Sequence, residues 1–374
     1  MDSKASALYS EFIIDGVKQE FTPAGIMDAL MSHPAPAPKE AFPAVVDESL
    51  DPSVMACDID QSKMYDFLRD VDALAASSSS EPSIPFPECY AKSLIAGALT
   101  DTIWRKGHFS LHNFALSLDW KWRKSKLGSM AAFYSAVSAA ADYIDSLGVS
   151  IGSYSFAETT RGDGLLRVRS SVIPSLGIEE EFDDDLVRLS TQRAIGREFV
   201  PDPSSWIIYI PFDHCQYKLG GSLLARSQGV TGSMPPQIVD ADYFIDCYEL
   251  VRELVEDGVA MSGDTVCRGG LIHTLSGMAS GGVGARLDLG DFAKAVNEKN
   301  IIMLLFAEVP GVVVQIADAD YDYIDAEMLL QDVAYYPLGH PVCGSSELEV
   351  LASDKTGIQT ILESIIRSQN EGED

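Results

Sequence analysis

Between positions 264 and 270 the chain carries a carboxylate, a thiol, a guanidinium and two glycines: Asp264, Cys267, Arg268, Gly269 and Gly270. Residues from about Gly270 to Met278 read as a helix, so Gly269 and Gly270 sit where backbone N–H groups lack helical partners and can hold a phosphate. Helix entry and close packing explain two glycines equally well, and both readings stand. Arg268 adds a fixed positive charge for an anionic ligand. Asp264, together with Asp101 and Glu308, offers oxygen ligands of the kind a hard cation such as magnesium takes; the alternative is three surface or capping carboxylates. Cys267 immediately precedes the helix, where the dipole favours a thiolate, although no histidine is close in sequence. The histidines at 33, 108, 112, 214, 273 and 340 show no metal-ligand spacing. His108 and His112 are four apart, but in what reads as a strand entry rather than a helix.

Charge excludes several partners. The 374 residues include 56 acidic and 27 basic side chains, a formal charge of −29. Nucleic acid and anionic membranes need a basic stripe that releases counterions, so neither is expected as a partner. The one basic cluster, Trp120 to Lys126, interleaves aromatic and cationic residues in a way that could stack on bases. A solvated turn beside two core tryptophans is the competing reading. An acidic small molecule would need a local positive pocket, which Arg268 or this cluster could supply. Six cysteines are scattered without a C-x-x-C pair, against a zinc site or a disulfide framework. No basic segment followed by an apolar core opens the chain, and no apolar run is long enough to span a bilayer. These features together predict a cytoplasmic protein.

The elements that would position these residues suggest two α+β units. Residues 1–50 read as an arm or partial subdomain, with a stiff proline-rich stretch HPAPAPKEAFP. Residues 51–200 read as a first domain. Helices are expected from Glu88 onward and from Met130 to Leu147, strands over NFALSLDW, GVSIGSYSF, LLRVRSSVI and PSLGI, and loops at Ser77–Ser80 and EEEFDDD. After the turn at Pro201-Asp202-Pro203, residues 203–353 read as a second domain. It opens with the buried strand SSWIIYIPF, followed by a helix over DADYFIDCYELVRELVEDG, strands ARLDL, NIIMLLFAEV and GVVVQIA, and a helix near Tyr323 to Leu330. A C-terminal helix and acidic tail are expected over 354–374. Each domain is then a sheet backed by helices.

Several motifs resemble the second catalytic-type half of phosphoribosylformylglycinamidine synthase, a unit of the aminoimidazole ribonucleotide synthase type. Ser262 to Leu271 resembles the family's S-G-H-D-x-S-D-G-G-L, and Phe306 to Val312 resembles F-A-E-E-P-G-x-V. Ile95 to Asp101 resembles V-A-E-A-L-T-N, Leu118 to Trp122 resembles A-N-W-M-W, and Lys218 to Ser222 follows the L-G-G-S/T turn. The resemblance runs in order from about Pro82 to about Gly344. It implies a two-domain aminoimidazole ribonucleotide synthase-like fold, ATP or ADP with magnesium as the cofactor, and pairing of first domains across a shared barrel. A homodimer, or a heterodimer with a related synthase-like chain, is therefore expected, because a lone first domain exposes sheet edges.

The polar positions depart from the family pattern. Asp264 stands where the family has His, Thr265 where it has Asp, Cys267 where it has Ser, and Arg268 where it has Asp. Where the family carries G-K-D-S, the Lys, Asp and Ser positions hold Ser155, Phe156 and Ala157, and Gly277 takes a family Glu position. Phosphoryl transfer needs a cation on the phosphate oxygens and carboxylates on magnesium. The expectation is thus a catalytically degenerate unit of purine biosynthesis, acting as a dimerising scaffold or nucleotide-binding partner, with Asp264, Arg268, Gly269 and Gly270 as candidate site residues. The alternative is an active ATP-dependent ligase with a rearranged site in which Asp264 is a rebuilt metal ligand. The glutaminase elbow that accompanies the large synthase is not found in this sequence.

Overall fold

The computed structural model describes residues 6–39, 41–50, 57–76, 86–105, 107, 109–124, 126–159, 164–173, 195–230, 233–266 and 268–351. The expected strand PSLGI, the loops at Ser77–Ser80 and EEEFDDD, the C-terminal helix, and the readings of Cys267 and His108 lie outside them.

The first part runs α1 (Ser6–Tyr9), β1 (Phe12–Ile14), β2 (Val17–Lys18), α2 (Pro23–Asp28), β3 (Val45–Asp47), α3 (Met64–Ala76), α4 (Pro87–Thr100), α5 (Thr102–Arg105), β4 (Phe114–Trp122), α6 (Ser129–Ser146), β5 (Ser150–Glu158) and β6 (Gly164–Val172). The second runs β7 (Trp206–Pro211), α7 (Leu223–Ser227), α8 (Ala241–Glu256), β8 (Ala260–Val266), α9 (Gly270–Met278), β9 (Val283–Asp288), α10 (Gly290–Ala295), α11 (Ile301–Phe306), β10 (Gly311–Ile316), α12 (Tyr321–Leu330), β11 (Tyr336–Cys343) and β12 (Ser345–Leu351).

Three sheets result: β2-β1-β3, β5-β4-β6, and a six-stranded sheet in the order β12-β9-β11-β7-β10-β8. In β4, alternation buries Leu116, Leu118, Trp120 and Trp122 on one face, where the rings of Trp120 and Trp122 pack on Phe133 of α6. Its other face carries Ser117, Asp119 and Lys121, half-buried or exposed. The period-two rule also divides β7. Ile208 and Ile210 join a core shared with α4, α6 and α8, whereas Ile207 and Tyr209 face a second core with α3, α9 and α11. The six-stranded sheet is thus covered on both faces, and its first core is continuous with that of the three-stranded sheet.

The N-terminal segment is docked rather than free. Phe12 packs on Tyr134 of α6, with ring centroids 5.2 Å apart. The Asp47 carboxylate accepts from Gly128, Met130 and Ala131 at 2.9, 2.8 and 3.1 Å, and so caps the N-terminus of α6 from some eighty residues away.

NIIMLLFAEV, expected as a strand, is helix α11. Asn300 starts it, its side chain accepting from the Ile302 N–H, and a short apolar run does not by itself distinguish a buried strand from a buried helix. Strands β8, β11 and β12 and helix α3 are additions to the sequence reading.

Candidate functional site

Strand β8 carries Asp264 at the edge of the six-stranded sheet, paired with β10 through Val313. The carboxylate is buried, and both of its oxygens are engaged. Oδ2 accepts from Arg197 Nη2 at 2.5 Å, and Oδ1 accepts from the Thr265 N–H at 2.9 Å. Arg197 was not among the residues singled out in the sequence. Beside this pair, Trp104 of α5 donates its indole N–H to Thr265 Oγ1 at 3.0 Å. A side chain at Gly263 would collide with that indole, since a Cβ would lie 2.5 Å from it.

Asp101 lies in the same electrostatic neighbourhood. Burial raises its pKa above the usual carboxylate value, Arg105 opposes the rise from 2.6 Å, and the Asp264 charge adds to it. Glu308 belongs to a different constellation. Its Oε1 accepts from the Leu223 N–H at 2.7 Å and from the Gly269 N–H at 2.8 Å, bridging the starts of α7 and α9. Burial raises the Glu308 pKa, and these two amides and the charges of Arg226 and Arg268 offset the rise only in part.

The expected metal set of Asp101, Asp264 and Glu308 therefore does not assemble. Among the described residues no group of three or more His, Cys, Asp or Glu side chains is placed to hold a metal ion. The physical reason is that all three carboxylates are already engaged within the fold, Asp101 by Arg105, Asp264 by Arg197 and Glu308 by two backbone N–H groups. Magnesium does not fit this donor set.

The glycines owe their identity to packing and conformation. Gly269 and Gly270 have φ of +88° and +73°, and a Cβ on Gly270 would lie 2.6 Å from the Leu305 carbonyl oxygen. The Gly269 N–H expected to meet a phosphate donates to Glu308 instead. Arg268, by contrast, remains available: its Nη2 is buried and has no hydrogen-bond partner. It lines a pocket together with Arg226 and Glu308, walled by α4 and by Pro235 and Pro236.

The positions where the resemblance places G-K-D-S lie on β5. Ser155 Oγ donates to Asp119 Oδ1 at 2.7 Å, and Arg169 donates to Asp119 Oδ2 at 2.6 Å. Phe156 is buried, its ring centroid 5.0 Å from that of Phe133. Gly277, near the end of α9, has open space around it. No helix among the described residues is long and apolar enough to cross a membrane.

No family model matches the chain. It is 26% identical over 259 residues to phosphoribosylformylglycinamidine synthase of Homo sapiens, covering 66% of this chain and 18% of that protein. It is 30% identical over 219 residues to the Schizosaccharomyces pombe protein of the same name, covering 56% of this chain and 16% of the relative. The chain thus spans less than a fifth of the length of these curated relatives. Among solved structures, Thermotoga maritima PurL complexed with FGAR superposes with a TM-score of 0.54 at 13% identity, over 75% of this chain and 44% of that one. The same protein complexed with AMPPCP gives 0.51 at 12% identity, over 76% and 42%. In fold the chain is an aminoimidazole ribonucleotide synthase-like unit, and in sequence it is similar to a part of phosphoribosylformylglycinamidine synthase.

Proposed function

We propose that this chain is a synthase-related unit of purine biosynthesis that pairs with a second synthase-like chain, its own copy or a relative, and does not itself carry out ATP-driven amidation. The observation that carries this reading is the closure of Asp264 onto Arg197 at 2.5 Å. A carboxylate neutralised by a guanidinium inside the fold has no charge to lend to a metal-bound phosphate. The buried ring of Phe156 supports the same reading, because an apolar core side chain replaces a carboxylate there. The neighbours solved with FGAR and AMPPCP support a retained small-molecule pocket. In this chain a nucleotide's phosphates would have Arg226 and Arg268 to meet them, without magnesium.

Pairing is supported by the three-stranded sheet. Among the described residues its outer strands β5 and β6 each hydrogen-bond only to β4 within the sheet. The side away from α4 and α6 is polar, tied by Ser153 to Ser117 and by the Ser155, Asp119 and Arg169 network. Open strand edges are templates for a second chain, and a two-fold partner closes both at once. Sedimentation velocity on the folded chain at tens of micromolar tests this directly. A dimer is expected; a monomer that also fails to associate with a synthase-like partner would contradict the pairing.

A further inference from the structure

We propose that the polar face of the three-stranded sheet selects this chain's partner, favouring a synthase-like chain whose matching face is net acidic over a second copy of this one. The inference rests on the pairing proposed above and names which of its two partners the surface prefers.

Residues directly opposite each other on neighbouring strands share a face of the sheet. Opposite Ser117, Asp119 and Lys121 of β4 stand Arg169, Arg167 and Leu165 of β6, and Ser153, Ser155 and Ala157 of β5. Three cations and one carboxylate thus share this face, on a chain whose formal charge is −29. The carboxylate is already engaged. Asp119 passes over Arg167, its direct cross-strand neighbour, and pairs with Arg169 at 2.6 Å, while Ser155 donates to its other oxygen. Arg167 and Lys121 are exposed and form no ion pair with any described residue. Glu158, at the end of β5, does not offset them: it stands opposite Trp122, in a row that belongs to the buried face, and pairs with Lys124 at 3.7 Å.

The opposite face of the sheet is packed against α4 and α6, so a second sheet that closes both open edges must meet the polar one. A two-fold pair uses the same patch on both chains. A net-positive patch then meets a net-positive patch, and like charges so placed weaken association. Carboxylates at the matching positions of a relative would make the same contact attractive. Self-pairing is therefore the weaker of the two associations, and the acidic relative is the favoured occupant of this face.

A copy of the full chain carrying Lys121→Glu and Arg167→Glu serves as the acidic-faced probe, with an affinity tag to distinguish its mass. Native mass spectrometry and sedimentation velocity of parent, reversed copy and their equimolar mixture then measure the three associations. Random pairing would make about half of the dimers mixed; the mixed dimer is expected to dominate and to be at least about tenfold tighter than the parent homodimer. Salt separates this local effect from repulsion between two acidic chains. Raising NaCl should weaken the mixed dimer, whereas general repulsion between like-charged proteins would make it tighten. Arg286→Glu, which reverses a charge on β9 of the other sheet, should mix with the parent at random. Melting curves verify that each variant is folded, and if the double variant is not, Lys121→Glu alone carries the comparison. Random mixing of parent with the reversed copy, or a mixed dimer that tightens with salt, would overturn the selectivity while leaving the pairing itself intact. Monomers in every combination would overturn the pairing and this inference together.

Discussion

Arg197 Nη2 lies 2.5 Å from Asp264 Oδ2, joining an acidic side chain that is 4% exposed to a basic one that is 59% exposed. The asymmetry makes Asp264 the dependent partner: the guanidinium stays hydrated, whereas the carboxylate has exchanged water for this contact and one backbone N–H. Removing Arg197 leaves a buried carboxylate with one backbone donor, whereas Arg197 itself is mostly exposed.

Arg197→Ala is therefore expected to cost about 1–3 kcal/mol, the range for a buried polar group deprived of its partner. The value falls below that for a fully buried ion pair because Arg197 remains half in water. Asp264→Asn in the Arg197→Ala background should recover part of the loss, since it removes the stranded charge. Urea denaturation of the single and double variants measures both effects. Equal midpoints for the parent and Arg197→Ala would mean that the pair contributes nothing.

The two glycines of α9 should respond oppositely to alanine. At Gly270, φ is +73° and the new Cβ would press on backbone atoms of Leu305 and Phe306 at 2.6–2.8 Å. These atoms cannot rotate away, so Gly270→Ala is expected to destabilise by about 2 kcal/mol or more. Gly277 lies inside the helix with nothing within 4 Å of a Cβ, so Gly277→Ala should stabilise by about 0.5–1 kcal/mol. Thermal or chemical unfolding decides the sign in each case.

His273 gives the pH dependence a definite direction. Burial lowers its pKa below 6.5, with Arg197 and Arg268 acting the same way, while Asp72 and Asp264 pull it up without prevailing. The unfolded chain consequently takes up a proton more readily than the folded one, so stability is lost as pH falls from about 6.5. Above that value this histidine contributes no slope. His273→Gln should flatten the dependence of the urea midpoint on pH below about 6.5. An unchanged slope in that variant would assign the dependence to another group.

The elements with strong periodicity were readable without a structure. Helix α6 with its alanine-rich face, strand β4 with alternating tryptophans and leucines, and the start of α9 at Gly270 all occur where the pattern puts them. Strand β8 was not read, because Ser262, Asp264 and Thr265 look like surface residues. All three are buried, satisfied by Gln315, Arg197 and Trp104 at sequence separations of 53, 67 and 161. A polar residue reads as buried only when its partner is known, and partners so distant leave no local signal. Arg197 was overlooked for the same reason. Helix α11 failed differently, since six consecutive apolar residues carry no period, and the capping role of Asn300 decides the outcome. The three carboxylates at 101, 264 and 308 were read either as oxygen ligands for a cation or as surface or capping groups, and what engages Asp264 and Glu308 depends on Arg197 and on two helix starts that only the tertiary structure brings to them.

The most direct measurement is phosphate release by the purified chain in ATP, Mg²⁺, ammonia and formylglycinamide ribonucleotide, run beside Asp264→Ala. With Asp264 closed onto Arg197 and Phe156 in the core, release should stay at background for both proteins, since loss of even one charge-stabilising group typically costs about a hundredfold or more. Robust turnover by the parent that disappears in Asp264→Ala would contradict the non-catalytic reading and make Asp264 a working metal ligand.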